Sequence, residues 1–260
     1  MVAAAKLRSV QTLQENSRPF AIGLQDFFKT MDEVEAATKP DASDEASGSK
    51  SRFVIAVTSD RGLCGGVNSS IVKKVKAMIG EAPDVNHAIM LLGDKGRDGL
   101  SRVHGKSIIL SFKDVFKVPV SFPQVCLIAE DILSRDYDEI VLVYNEYISV
   151  ISQEVIQKPI VGLKALMESA EAFDEYEFDS DMDSAQVLVD LFEFQLATQI
   201  FNALLENATS EQAARMSAMD SASRNASDML QTLTLSYNRQ RQAAITQELS
   251  EITSGAAALE

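Results

Sequence analysis

The sequence is short of cysteine, histidine and basic charge, and each shortage narrows what the protein does. Two cysteines (Cys64, Cys126) and two histidines (His87, His104) in 260 residues leave no material for a disulfide framework or a zinc site. Both thiols read as small buried hydrophobes, His87 as a turn residue and His104 as a surface residue. No uninterrupted apolar run exceeds five residues, against about 20 for a bilayer crossing, so no spanning segment is expected. The opening MVAAAKLR lacks the charged flank and apolar stretch of a signal peptide. Lysine and arginine number 24 against 38 aspartates and glutamates, a net charge of -14. Nucleic-acid binding, which draws on clustered cations that displace counterions, is excluded. The 46% of apolar positions supply a core for one large domain or two small ones.

Proline and glycine are missing from Leu163 to Ser254, whereas ten of the twelve glycines and five of the six prolines fall between Gly23 and Pro159. Because these residues punctuate helices, the middle reads as a fold of short elements and the end as a long helix. The expected division is a helix over 1–38, a flexible linker over 39–51 (KPDASDEASGSKS from Lys39), an α/β domain over 52–165, an acidic loop over 166–184 and a helix over 185–260.

Within the middle, Phe53 to Ser59 is β-branched and apolar, the pattern of a buried strand. Val67, Ile71, Val75 and Met78 recur at helical spacing after a Gly-rich turn. Strands are expected over Ala88 to Leu92, Ser107 to Phe112 and Glu139 to Tyr144, with a short helix at Leu100 to Val103 and another from Pro123 to Ser134. This alternation predicts parallel strands joined by right-handed crossovers, a small Rossmann-like three-layer α/β domain. Ile148 to Ile156 reads as an added antiparallel edge strand.

The first helix carries a 3-4 seam through Val10, Leu13, Ser17, Phe20, Leu24, Phe27, Met31 and Val34, with a kink expected near Arg18 from Pro19 and Gly23. A thinner seam runs through Met216, Met219, Ser223, Ala226, Leu230, Leu233 and Tyr237. As one helix, the 74 residues from Ala185 to Ala258 extend about 110 Å, beyond the span of a small domain. The expected architecture is a projecting rod in which the long C-terminal helix is paired in part with the N-terminal helix, attached to the α/β domain. Asn207 to Ser210 is where the continuity of the long helix is least certain from sequence, since Asn, Thr and Ser compete for backbone hydrogen bonds. On spacing alone, such a rod suits a mechanical device or a coiled-coil adaptor.

Little of the chemistry sought is present. Ser59-Asp60-Arg61-Gly62-Leu63-Cys64-Gly65-Gly66 links a strand to a helix, where dinucleotide-binding folds cradle phosphate, yet its glycines do not match GxGxxG or a phosphate loop. A structural turn and an anion site both stay open. The carboxylates Glu168, Glu171, Asp174, Glu175, Glu177, Asp179, Asp181 and Asp183 lack the glycine of a calcium loop and read as a solvated acidic stretch. No catalytic residue, cofactor site or metal site is assigned.

Ser210 to Leu235 (SEQAARMSAMDSASRNASDMLQTLTL), Tyr237-Asn238-Arg239 and Ile245 to Ala258 (ITQELSEITSGAAA) closely resemble the gamma subunit of the F-type ATP synthase. MVAAAKLR and SDRGLCGG agree with that family, so the resemblance runs the length of the chain. It implies a non-catalytic rotor of the central stalk. It implies too that the N- and C-terminal helices form a long antiparallel coiled coil turning inside a hexamer of alpha and beta subunits, that the α/β domain sits on the membrane c-ring, and that delta and epsilon stalk subunits attach. Rotation then couples proton transport to ATP synthesis. The residues matching the family's contacts with acidic loops of the stator are Arg241 and Gln242, with Arg239, Thr246 and Glu248 nearby.

The resemblance further implies membrane association only through the complex, at the matrix side of the mitochondrial inner membrane or, alternatively, the cytoplasmic face of a bacterial plasma membrane. Two departures from the family stand out. Members of that family begin several helical turns upstream of the MVAAAK block, with a basic stretch that is absent from this sequence, so the expectation is either a shorter shaft or an incompletely represented N-terminus. The regulatory cysteine pair of the plastid form is also missing, so thiol switching is not. The acidic stretch supplies eight of the negative charges, whereas Lys6, Arg8, Arg18 and Lys29 against Glu15 and Asp26 leave residues 1–30 at net +2. A mildly basic rod suits acidic partner loops.

Overall fold

A computed structural model of the chain describes residues 2–38, 51–135, 137–161, 163, 167 and 184–258. The order is α1 (Val2–Thr38), β1 (Ser51–Val57), α2 (Val67–Glu81), β2 (Asn86–Leu92), α3 (Asp94–His104), β3 (Ile108–Phe112), α4 (Phe122–Leu133), β4 (Glu139–Tyr147), β5 (Gln153–Val161) and α5 (Ser184–Ala257). The chain forms two units, residues 1–216 and 217–260.

In the first unit the five strands form one sheet in the order β3-β2-β1-β4-β5. Four are parallel, and β5 runs antiparallel along β4. Alternate residues of each strand point to opposite faces. Phe53, Ile55 and Val57 with Met90, Leu92, Leu142 and Tyr144 meet α4 and the first part of α5. Val54, Ala56, Ile89, Leu91, Val141 and Val143 meet α2, through Ile71, Val75 and Met78, and α3, through Leu100. Covering both faces explains why β1 and β2 read as unbroken apolar runs. Each fully buried Val, Leu, Ile or Phe contributes about 1.5–3 kcal/mol.

Several expectations need correction. Strand β5 begins at Gln153, and Ile148 to Ser152 form a turn closed by Ser149 N–H and Ile148 N–H on Ser152 O. Helix α3 is longer than expected because its glycines serve packing: a Cβ on Gly99 would lie 2.7 Å from Val72 Cγ2, and one on Gly96 2.8 Å from Thr58 Oγ1. His87 lies in β2, buried, with Nε2 2.9 Å from Ala82 O. Cys64 is buried as expected, whereas Cys126 is exposed on α4. As the persistence of the seam past Pro19 predicts, helix α1 is unbroken there.

Helix α5 does not break at Asn207 to Ser210, because those side chains find partners that leave the helical ladder intact. Thr209 Oγ1 donates to Leu205 O at 2.8 Å, Ser210 Oγ to Asn145 O at 3.3 Å, and Asn207 Oδ1 accepts from Asn145 Nδ2 at 2.9 Å. Within Gln186–Ala256 a stretch of α5 is long and apolar enough by composition to cross a membrane, with mean hydropathy 1.2. Leu188, Phe192, Leu196 and Ile200 instead bury that stretch in the sheet core.

The seam of α1 is also displaced. Leu7, Gln14, Ala21 and Phe28, seven residues apart, are the buried positions, while Leu13 and Phe20 are 43% and 55% exposed. Val10, Leu24 and Phe27 are half-buried beside that stripe. Leu7 packs with Ala213, Gln14 bonds Glu206, and Ala21 O accepts from Gln199 Nε2. These steps of seven run in opposite senses, the register of an antiparallel coiled coil. An apolar count misses it because two of the four central positions are Gln and Ala.

The second unit is helical to Ala257. From Met219 to Ala256 every side chain but Asn238, which is half-buried, is exposed. Met216 packs beside Leu7 and Tyr147 in the first unit, whereas Met219, Leu230, Leu233 and Tyr237 stand exposed. The acidic stretch from Glu168 to Asp183, the linker over 39–50 and the seam side chains Met31 and Val34 lie outside the described residues.

Candidate functional site

In a doubly wound sheet the ligand crevice lies at the carboxyl ends of the strands where the chain order reverses. Here that point lies between β1 and β4, at the turn from Thr58 to Gly66 and at Asn145. The chain fills it with its own groups. Asn145 Nδ2 donates to Val67 O at 3.3 Å and to Asn207 Oδ1. Ala214 of α5 packs on Cys64 and Val67, and Arg215 donates to Gly62 O at 3.4 Å.

The turn is likewise saturated. Ser59 N–H donates to Asn68 Oδ1 at 2.9 Å, and Asn68 Nδ2 donates to Ser59 Oγ at 2.7 Å. Asp60 Oδ1 accepts from the N–H groups of Asp94 and Asp114 at 3.2 and 3.1 Å, and Oδ2 from Phe116 N–H at 3.3 Å. The carboxylate of Asp60 thus takes the place at the start of α3 that an anionic ligand would occupy. Of the two readings the sequence leaves open, these internal hydrogen bonds fit the structural turn.

A buried polar clasp joins three elements of the same unit. Glu206, 1% exposed, accepts from Gln14 Nε2 at 2.7 Å, Arg18 Nε at 2.8 Å and Tyr147 N–H at 3.0 Å. Arg18 also donates to Tyr147 O at 3.1 Å and lies 3.7 Å from Glu146. Burial works against the Arg18 charge, but Glu206 and Glu146 outweigh it and hold the guanidinium above the ordinary arginine value. Farther along α5, Glu211 is buried and paired with Arg215. Burial pushes its carboxyl up, and Arg215 opposes the shift. Sequence reasoning missed Gln14, Arg18, Asn145, Glu206 and Asn207; the only signal was polar residues at heptad positions.

The candidate contact residues Arg239, Arg241, Gln242, Thr246 and Glu248 all lie on exposed α5 surface in the second unit. At 100° per residue they divide between two sides of the helix, with Arg239, Gln242 and Thr246 on one and Arg241 and Glu248 on the other. Arg239 and Arg241 form no ion pair among the described residues, in contrast to Arg224, which bonds Asp220 at 2.6 Å. A partner reaching all five must present groups on both sides of the helix.

A long helix, its first part packed into the α/β domain and the rest exposed, is the architecture of a stalk protein. The family model described as ATP synthase matches residues 1–259. The chain is 40% identical over 270 residues to the mitochondrial ATP synthase subunit gamma of Ipomoea batatas, covering all of this chain and 78% of that protein. It is 39% identical over 272 residues to the ATP synthase gamma chain of Paramagnetospirillum magneticum, covering all of this chain and 92% of that one. In the central stalk and c-ring structure of Tetrahymena thermophila mitochondrial ATP synthase, a chain 31% identical superposes with a TM-score of 0.73, over 86% of this chain and 96% of that one. The chain belongs to the gamma-subunit family of the F-type ATP synthase.

Proposed function

We propose that the chain is the rotating shaft of the central stalk, a subunit with no active site of its own. It turns inside the alpha-beta hexamer and couples proton-driven rotation of the c-ring to ATP synthesis at the beta-subunit sites. The α/β unit forms the foot, where the delta and epsilon stalk subunits attach, and the exposed part of α5 forms the bearing surface. Membrane association is through the complex, at the mitochondrial inner membrane on the matrix side or the cytoplasmic face of a bacterial plasma membrane; relatives from both settings support this. The observation that carries the reading is α5 itself, one unbroken helix whose side chains are exposed from Met219 to Ala256 except at Asn238.

On this reading Arg241 donates forked, charge-assisted hydrogen bonds to acidic stator loops, and Gln242 adds a neutral one. Arg239, Thr246 and Glu248 complete the contact surface, and the small residues toward Ala256 limit adhesion. The filled crevice at Asn145 and Asp60 supports a non-catalytic role, because the fold's usual ligand position is occupied by the chain's own groups. In membranes carrying the complex with Arg241→Ala and Gln242→Ala, ATP synthesis is expected to fall by at least about tenfold, through loss of the charge-assisted and the neutral hydrogen bonds together. Unchanged synthesis with normal assembly overturns the contact assignment and favours a passive coiled-coil adaptor.

A further inference from the structure

Helices α2 and α3, on the sheet face away from the clasp, enclose a groove of about 580 Å³ lined by Asn68, Ser69, Val72, Lys73, Lys76 and Lys95, with Asp98 and Gly99. Its floor is fixed by the close approach of Gly99 to Val72. Lys95 Nζ donates to Asp98 Oδ2 at 2.8 Å, whereas Lys73 and Lys76 form no ion pair among the described residues. In a chain of net charge -14 this surface has the opposite sign. Across α2 and α3, Lys73, Lys74, Lys76, Lys95, Arg97 and Arg102 stand against Glu81, Asp94 and Asp98, net +3.

We propose that this groove docks an acidic segment of another subunit of the complex. Ser69, Val72, Lys73 and Lys76 follow one another along a single side of α2 over about 10 Å, the length of two helical turns. Lys73 and Lys76, one turn apart, match carboxylates one turn apart on a helix or two residues apart on an extended chain. The apolar floor at Val72 accepts side-chain carbons, and the Asp98 carboxylate disfavours a compact phosphate while accepting a peptide N–H. These features favour a peptide over a lipid headgroup. The assignment rests on the central-stalk reading, since the partner is sought within that complex.

The test is zero-length carbodiimide coupling in the purified intact complex, followed by peptide mass spectrometry. Amide links are expected from Lys73 or Lys76 to an Asp or Glu of a different subunit. Lys73→Glu with Lys76→Glu is expected to weaken retention of that subunit about tenfold, through lost charge complementarity. Lys74→Glu with Arg97→Glu makes the same charge change outside the groove lining and is expected to leave retention unchanged. An assembled complex with no links from Lys73 or Lys76, or equal loss in both double variants, overturns the proposal and leaves the shaft reading intact. Links absent while phosphatidylglycerol vesicles shield both lysines from acylation assign the groove to lipid and also overturn it. Failure of the unmutated chain to join any such complex removes both.

Discussion

Gln14 Nε2 donates to Glu206 Oε1 at 2.7 Å, joining residues 192 positions apart at the centre of the antiparallel helix pair. With Arg18 and Tyr147 N–H on the same carboxylate, this contact ties α1 and the end of β4 to the part of α5 that lies in the first unit. A buried, fully bonded carboxylate also sets the register of the paired helices, because a slip of one turn would leave the charge unpaired.

Glu206→Ala is expected to destabilise the protein by about 3 kcal/mol, since three donors lose their acceptor, and to lower Tm by about 10 °C. Arg18→Ala costs less, because its side chain is 37% exposed and solvent screens it. Thermal melts of both variants check the order; equal losses would show that the clasp does not centre on Glu206.

Gly93 has φ +110, and a Cβ there would stand 2.4 Å from Thr58 O. Gly93→Ala therefore combines backbone strain with a clash and is expected to cost about 4 kcal/mol. Gly62→Ala meets nothing within 4 Å and is expected to be near neutral. Denaturant titrations separate the two.

Asp60→Ala leaves the N–H groups of Asp94, Asp114 and Phe116 without their acceptor and is expected to cost about 2 kcal/mol. The unmutated chain, with that carboxylate in place, is expected to give no calorimetric heat with nucleotide at millimolar concentration. Saturable heat would reopen the anion-site reading of the turn.

Burial raises the Glu211 carboxyl above its ordinary value of 4.5, against the pull of Arg215. The folded chain therefore holds that proton more tightly than the unfolded chain does. The contribution of Glu211 to stability is greatest at low pH and is lost as pH rises from 4.5 through the raised value. Glu211→Gln removes this loss, so Tm measured from pH 4.5 toward neutrality should decline less steeply in the variant than in the parent. Parallel slopes would contradict the assignment.

The sheet was legible because its signals were local. Phe53 to Val57 and Ala88 to Leu92 are apolar runs that only a doubly covered strand needs, and Val67, Ile71, Val75 and Met78 repeat at the helical period. The helix pairing was legible in kind but not in phase. Its centre uses Gln14 and Ala21, whose burial depends on Glu206 and Gln199 nearly 200 residues away, and no local pattern encodes such partners. The continuity of α5 through Asn207 to Ser210 depends likewise on Asn145 of β4. In the candidate contact surface, the sequence supplied the residues, and helical geometry supplied their division between two sides.

Rotation of the foot relative to the hexamer tests the central claim most directly. Cys126 is exposed on α4 and Cys64 is buried, so a probe attached through a thiol reports on the foot alone. With the hexamer fixed to a surface and ATP supplied, the account predicts unidirectional turning of the probe in three equal steps per revolution. A probe that stays still while the hexamer hydrolyses ATP would contradict it.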